Sequence, residues 1–299
     1  MIGIESLSLN TLDYMSANTI HELYRKTSVF LDALVHREYL YLIWGLSPTL
    51  FRILCRVTGY KNTQIYAIYQ KLYYEHFARI DEKNLVVGHF EANESYDYEK
   101  YLLKPFSENT KHIIALDFGC GPGRMVRRMS KFVNRVDGVD ISENNITKAK
   151  IYTKNIRSKT KYFVNNGYDL AGIPSDTYDL VYTTIALHHI PIHKTRMNLI
   201  REFLRVLKIG GQISLQMVFQ KNLKKLPPGH SFSCWRENPY DANGTNGTYD
   251  VVITPKSLKQ VREDLRYVGF KNISFNLALP PVSKEVGLYD NWIFIYARK

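Results

Sequence analysis

The sequence predicts an α/β fold: a mostly parallel sheet with helices on both faces, preceded by a helical segment. Three observations carry this reading. From residue 113 onward, short apolar runs alternate with amphipathic stretches, the pattern of strands buried on both faces of a parallel sheet. One of these runs ends in an acid, three spaced glycines and the start of a helix, in Asp117-Phe118-Gly119-Cys120-Gly121-Pro122-Gly123-Arg124. Before residue 110 the apolar residues recur instead at helical spacing, as in 63–77, which is rich in Tyr, Ile and Leu.

Seven strands are expected, at 113–118, 135–140, 161–165, 179–184, 212–219, 272–277 and 292–297. Helices fall between them. The one at 194–207 places Met197, Ile200, Leu204 and Leu207 on one face. The one at 256–268 does the same with Leu258, Val261, Leu265 and Val268, with Thr254 as N-cap and Pro255 in the first turn. The chain therefore divides into a helical cap over 1–110 and an α/β domain over 111–299. An insert at 220–253 interrupts the second part, dense in turn residues with Pro227-Pro228-Gly229, Asn243-Gly244 and Asn246-Gly247. A connection that long is usually functional or disordered.

Composition narrows the class. With 299 residues, 45% of them apolar and 23% charged, the chain has the makeup of a folded globular protein. Three distant cysteines, Cys55, Cys120 and Cys234, form no CxxC or zinc-ligand spacing, so a disulfide framework and a structural zinc site are not expected. The N-terminus lacks the layout of a signal peptide. The longest uncharged run, at 39–51, is shorter than the roughly 20 residues of a bilayer span and is broken by Gly45 and Pro48. The expectation is a reduced, cytoplasmic protein without a metal. The net charge of +12 is uneven: residues 111–165 hold 12 basic and 4 acidic side chains. Most of these fall on predicted helices, whose solvated faces are the usual home of lysine, and no nucleic-acid motif accompanies them.

The glycine turn carries the chemistry. Glycines allow left-handed backbone and let a ligand approach where a Cβ would collide. At the tip of the next strand stands Asp140, placed to accept ribose hydroxyl protons from a nucleoside ligand. A Walker-A loop is excluded, because no Gly-Lys-Ser/Thr follows. A dinucleotide would set its pyrophosphate on the turn, but the spacing is GxGxG and Asp117 stands just before it. A carboxylate there repels a pyrophosphate and attracts a cation. S-adenosylmethionine, with an ammonium, a sulfonium and no phosphate, suits that sign of charge.

On these residues the sequence resembles the class I S-adenosylmethionine-dependent methyltransferases, strongly over 113–217 and more weakly to the C-terminus. The resemblance implies a Rossmann-like seven-stranded sheet whose last strand is antiparallel. It implies that Asp117 and the backbone of Phe118, Gly119, Cys120, Gly121 and Gly123 hold the methionine end, and that Asp140, followed by Ile141, binds the ribose. Asn165-Asn166-Gly167 looks like the family's adenine turn, where Asn166 stands in place of a frequent Asp. The strand end at Thr183 to Ile185 would lie near the transferable methyl. Phe203 to Gly211 resembles the helix, turn and strand that follow.

His188 and His189 come just after the fourth strand, at the carboxyl edge where open α/β sheets bind ligands. Histidine suits a general base, which a hydroxyl acceptor needs. Tyr96, Tyr98, Tyr101, Trp235, Tyr240 and Tyr249 are candidate substrate walls, contributed by the cap and the insert. A DNA amino-methyltransferase would carry Asn/Asp-Pro-Pro-Tyr after the fourth strand, where this chain has Thr183-Thr184-Ile185-Ala186, and a cytosine C5 enzyme would need a Pro-Cys nucleophile. The expected reaction is O-methylation of a small polar molecule, a sugar or other polar metabolite. RNA methylation, from charge alone, and a non-catalytic cofactor-binding subunit are the alternatives.

Overall fold

The structure, a computed structural model, describes residues 67, 70, 71, 74, 75, 78, 79, 96–106, 109–156, 160–219, 231–236, 251–280 and 291–299. Most of the 1–110 segment, the 39–51 run, Tyr240, Tyr249 and much of the insert lie outside the described residues. Seven strands form one sheet: β1 (Ile114–Phe118), β2 (Arg135–Asp140), β3 (Tyr162–Val164), β4 (Tyr178–Thr183), β5 (Leu207–Phe219), β8 (Lys271–Ala278) and β9 (Asn291–Arg298). Their order is β3-β2-β1-β4-β5-β9-β8. The first five run parallel, while β9 is antiparallel to both β5 and β8. This is the expected Rossmann-like sheet with its antiparallel closing strand.

The alternation along each strand serves two cores. Leu116, Val139, Val181 and Leu215 face one side, where they pack on Leu199, Ile200 and Phe203 of α4 (His193–Val206) and on Val261 and Leu265 of α5 (Leu258–Val268). Ala115, Val136, Leu180 and Tyr182 face the other. They meet Tyr98 and Leu102 of α1 (Tyr98–Leu102), Met125 and Val126 of α2 (Arg124–Met129) and Ile146 of α3 (Glu143–Tyr152). The chain winds outward from β1 through β2 to β3, then returns to β4 on the opposite side. That reversal opens a crevice beyond the carboxyl ends of β1 and β4, where open α/β sheets bind ligands.

Three details differ from expectation. Leu207 already pairs with Tyr178, and the ladder shifts before resuming at Leu180 with Gln212. The turn that the resemblance implies within 203–211 is thus an irregularity inside β5, with Gly210 at φ +78°. The α4 face toward the core is Met197, Ile200, Phe203 and Val206, with Leu204 only half-buried. α5 is capped by Ser257, whose Oγ accepts from the Lys259 N–H, whereas Thr254 closes a strand that begins in the insert.

That strand, β7 (Val251–Thr254), pairs in parallel with β6 (Ser231–Cys234) as a separate two-stranded sheet. A polar hub ties it to the core. The Asp264 carboxylate accepts from Trp235 Nε1 at 2.7 Å and Arg236 Nη2 at 2.9 Å, and His193 Nε2 lies 2.9 Å away. The buried Arg196 guanidinium donates to the carbonyls of Ile190 and Trp235 and lies over the Trp235 ring. Among the described residues no helix is long and apolar enough to cross a membrane, and no cluster of His, Cys, Asp or Glu is placed to hold a metal.

Burial alone would raise the Asp264 carboxyl, but hydrogen bonds from Arg236, His193 and Trp235 hold it below the usual range. A depressed carboxylate contributes stability above its unfolded-state pKa of about 4 and loses it as pH falls through the folded value. Asp264→Ala is therefore expected to destabilise the protein by about 2–4 kcal/mol at pH 7. Urea denaturation at pH 7 and pH 3 checks this, because the deficit should shrink at the lower pH.

Candidate active site

A cleft enclosing about 950 Å³, part of it open to solvent, occupies the crevice beyond β1 and β4. Its floor is the glycine turn. Gly119, at φ +72°, leads the chain out of β1, and a Cβ there would lie 2.2 Å from that of Ala186. Gly123, at φ +89°, is the left-handed N-cap of α2, where a Cβ would fall 2.9 Å from Thr153 Cγ2. Any other residue at either position would be both strained and crowded.

Two carboxylates stand over this floor in opposite states. Asp140 accepts the Gly121 N–H on Oδ2 at 2.9 Å, and on Oδ1 the Ser142 N–H at 2.9 Å and Asn145 Nδ2 at 3.2 Å. It pins the glycine turn to the tip of β2. Burial still raises its carboxyl, against the backbone N–H bonds that lower it. Asp117 is 1% exposed, and neither of its oxygens has a hydrogen-bond partner among the described residues. Burial pushes its carboxyl up to about 8; Arg124 opposes the rise, Asp140 adds to it, and the neighbouring Tyr182 hydroxyl lowers it again. A buried carboxylate without a partner is costly, and a cation in the cleft would answer it.

The predicted residues divide. Asp117, Phe118, Gly119, Cys120, Gly121, Asp140, Ile141 and Gly167 all line the cleft. Gly123 does not, serving as the helix cap. Asn166 is turned to a local bend, where its Oδ1 accepts the N–H groups of Tyr168 and Asp169; its neighbour Asn165 lines the cleft instead. Thr183 ends β4 and is buried, so the cleft receives Thr184 and Ile185. Ile185 sits at φ +67°, uncommon for a β-branched residue, and its N–H donates to Gln216 Oε1 at 2.7 Å. Burial raises the Cys120 thiol well above its usual range, with Asp140 and Asp117 adding to the effect. It is therefore protonated and no nucleophile.

His189 lines the cleft, while His188 is buried behind it. Their Nε2 atoms lie 3.1 Å apart. Of the candidate walls, Tyr96 packs edge-on against Trp292 and its hydroxyl donates to the Leu279 carbonyl, while Trp235 is fully buried beside Asp264. Neither lines the cleft. Sequence reasoning missed Arg124, Met125, Asn145 and Ile190, and from the upstream helical residues Gln70 and Tyr74. Arg124, first after the glycines, could have been found from its position, but was read as part of a basic block.

Comparison with known proteins fits this geometry. Residues 116–215 match the family model described as "Methyltransferase domain". This region is a class I S-adenosylmethionine-dependent methyltransferase domain. A ubiquinone biosynthesis O-methyltransferase from Hydrogenovibrio crunogenus is 28% identical over 98 residues, 33% of this chain and 39% of that protein. Its counterpart from Aliivibrio fischeri is 28% identical over 109 residues, 36% and 45% of the two chains. The chain thus aligns with less than half the length of these curated relatives. A SAM-dependent methyltransferase from Methanosarcina mazei shares the fold, with a TM-score of 0.52 at 19% identity over 68% of this chain and 97% of that one.

The Asp117 carboxyl titrates near 8 when folded and about 4 when unfolded. Between those values the folded state holds a proton that the unfolded state has lost, so stability falls as pH rises. Asp117→Asn removes that penalty. It should raise the melting temperature of the ligand-free protein by about 3 °C or more at pH 8 and by much less at pH 4.5, as thermal melts at the two pH values will report.

Proposed function

We propose that the protein transfers a methyl group from S-adenosylmethionine to an oxygen of a small molecule. The observation that carries the cofactor side is the buried Asp117 carboxylate facing the cleft without a partner, with the Arg124 guanidinium in the same cleft. Once a bound cation draws off its proton, Asp117 stands as an anion beside the Arg124 cation, a pair that suits the ammonium and carboxylate of an α-amino acid. A dinucleotide's pyrophosphate would meet two buried acids instead. When bound, the donor supplies an electrophilic methyl on a sulfonium.

The protein's own part is placement and proton handling. Asp117 and Arg124 fix the amino-acid end, and Asp140, already rigid, offers its remaining lone pairs to the ribose hydroxyls. Asn165, Gly167 and Ile141 form the wall toward the base. Positioning of this kind is worth effective molarities of about 10⁵ M or more. At the acceptor side, His189 lines the cleft, and its imidazole can take the proton of a substrate hydroxyl. The small-molecule reading is supported by Gln70, whose Nε2 reaches across to the His189 carbonyl at 2.5 Å and narrows the cleft against a polynucleotide. The oxygen acceptor is supported by the two relatives named as O-methyltransferases.

Incubation with a methyl-labelled donor and fractionated metabolites tests the reading: label should enter a small hydroxyl compound, and label in RNA or in no fraction would overturn it. His189→Ala should lower kcat about 10²-fold or more while donor affinity stays within about threefold. Donor binding should expel the proton on Asp117, because a positive ligand favours the ionised acid. Calorimetry should then find S-adenosylmethionine bound about tenfold more tightly at pH 7 than at pH 6, and an Asp117→Asn variant should lose that dependence.

A further inference from the structure

The described residues Ala67, Gln70, Lys71, Tyr74, Glu75, Ala78 and Arg79 are helical. Two of them reach opposite lips of the cleft. Gln70 donates to the His189 carbonyl on the β4 side. On the β2 side, Glu75 meets the start of α3. Its Oε1 accepts the Glu143 N–H at 2.6 Å, and its Oε2 accepts Ser142 Oγ–H at 3.0 Å, Asn144 Nδ2 at 2.7 Å and the Asn144 N–H at 3.2 Å.

The first turn of a helix leaves N–H groups without partners and carries partial positive charge. Ser142 covers one of them, the Asn145 N–H, from its own side chain. Glu75 covers the two before it, the Glu143 and Asn144 N–H groups, from 68 and 69 residues earlier in the chain. Charge-assisted bonds of this type are roughly twice as strong as neutral ones. Ser142 is the joint between two acids: its Oγ–H serves Glu75 while its N–H serves Asp140. Tyr74, the residue before Glu75, lines the cleft itself.

We propose that Glu75 is a positioning residue: it latches the upstream helix across the cofactor cleft and, through Ser142, fixes the Asp140 carboxylate that holds the glycine turn. Gln70 and Tyr74, which line the cleft, are then held in place beside the donor, and the latch sets how fast the spent cofactor leaves. The assignment of the cleft to S-adenosylmethionine underlies this proposal, but the latch itself is a feature of the ligand-free protein.

Two measurements test it on the full chain. Hydrogen exchange on ligand-free protein should show faster exchange at residues 142–145 and across 67–79 in Glu75→Gln, and more so in Glu75→Ala. Stopped-flow release of S-adenosylhomocysteine should be about tenfold faster in Glu75→Gln, with the association rate changed less than threefold. Lys71→Ala removes a half-exposed ion pair to Glu143 at 3.0 Å and should leave both readouts within twofold. Unchanged exchange at 142–145 in Glu75→Gln, or a tenfold effect shared by Lys71→Ala, overturns the latch. Should the wild-type protein bind no S-adenosylhomocysteine, the cofactor reading fails, and the exchange experiment still decides on the latch. Should Glu75→Ala fail to fold, the isosteric Glu75→Gln carries the test.

Discussion

A carboxylate shut away from water with no protein donor to satisfy it governs the arrangement of this fold. Asp117 stands one residue before the end of the central strand, with β2 and β4 on either side, so its surroundings are set by the apolar core of both faces. Burying an ionisable group there is expensive, and the fold bears the cost by holding it protonated. Strain collects at the same place: left-handed Gly119 and Gly121 and Ile185 at φ +67° border the cleft. Buried acids and strained backbone persist only where surrounding packing over-determines them. The seven-stranded sheet with covered faces provides that packing.

The second carboxylate shows what the first lacks. Asp140 stands in the same cleft with three protein donors, and its work is done before any ligand arrives. It fastens the glycine turn to β2 so that the backbone lining the floor is already in place. Preorganisation of this kind reduces the ordering cost of binding. Two acids of one residue type, 23 positions apart, therefore divide the labour: one shapes the site and the other waits for charge. Environment, not identity, assigns the roles.

This division explains what could be read from the sequence. The strands and the glycine turn were legible because their signals are local: apolar runs, an acid, spaced glycines. Most strand limits fell within one or two residues for the same reason. Neighbouring positions were harder to separate. Asn165 faces the cleft while Asn166 closes an Asx-type turn, and Thr184 faces it while Thr183 ends the strand, because pleat and turn geometry decide between adjacent residues. Aromatic character misled at Trp235, whose indole is spent on Asp264. Gln70 reaches the cleft through a contact 119 residues long in sequence, and Tyr74 lines it from upstream; no local pattern encodes either.

The elements outside the matched 116–215 region are attached in a common way. Asp264 gathers the Trp235 indole, Arg236 and His193, and so fastens the small β6–β7 sheet to α4 and α5. Glu75 gathers the start of α3 and so fastens the upstream helix to the sheet's other edge. In each case one carboxylate accepts several donors from a different element. Apolar contacts are tolerant of sliding and repacking, whereas a multiply bonded carboxylate accepts only one register. A sheet that supplies the cofactor floor can thus carry quite different surrounding parts, provided each brings an acid that fits the donors left at the sheet's margins.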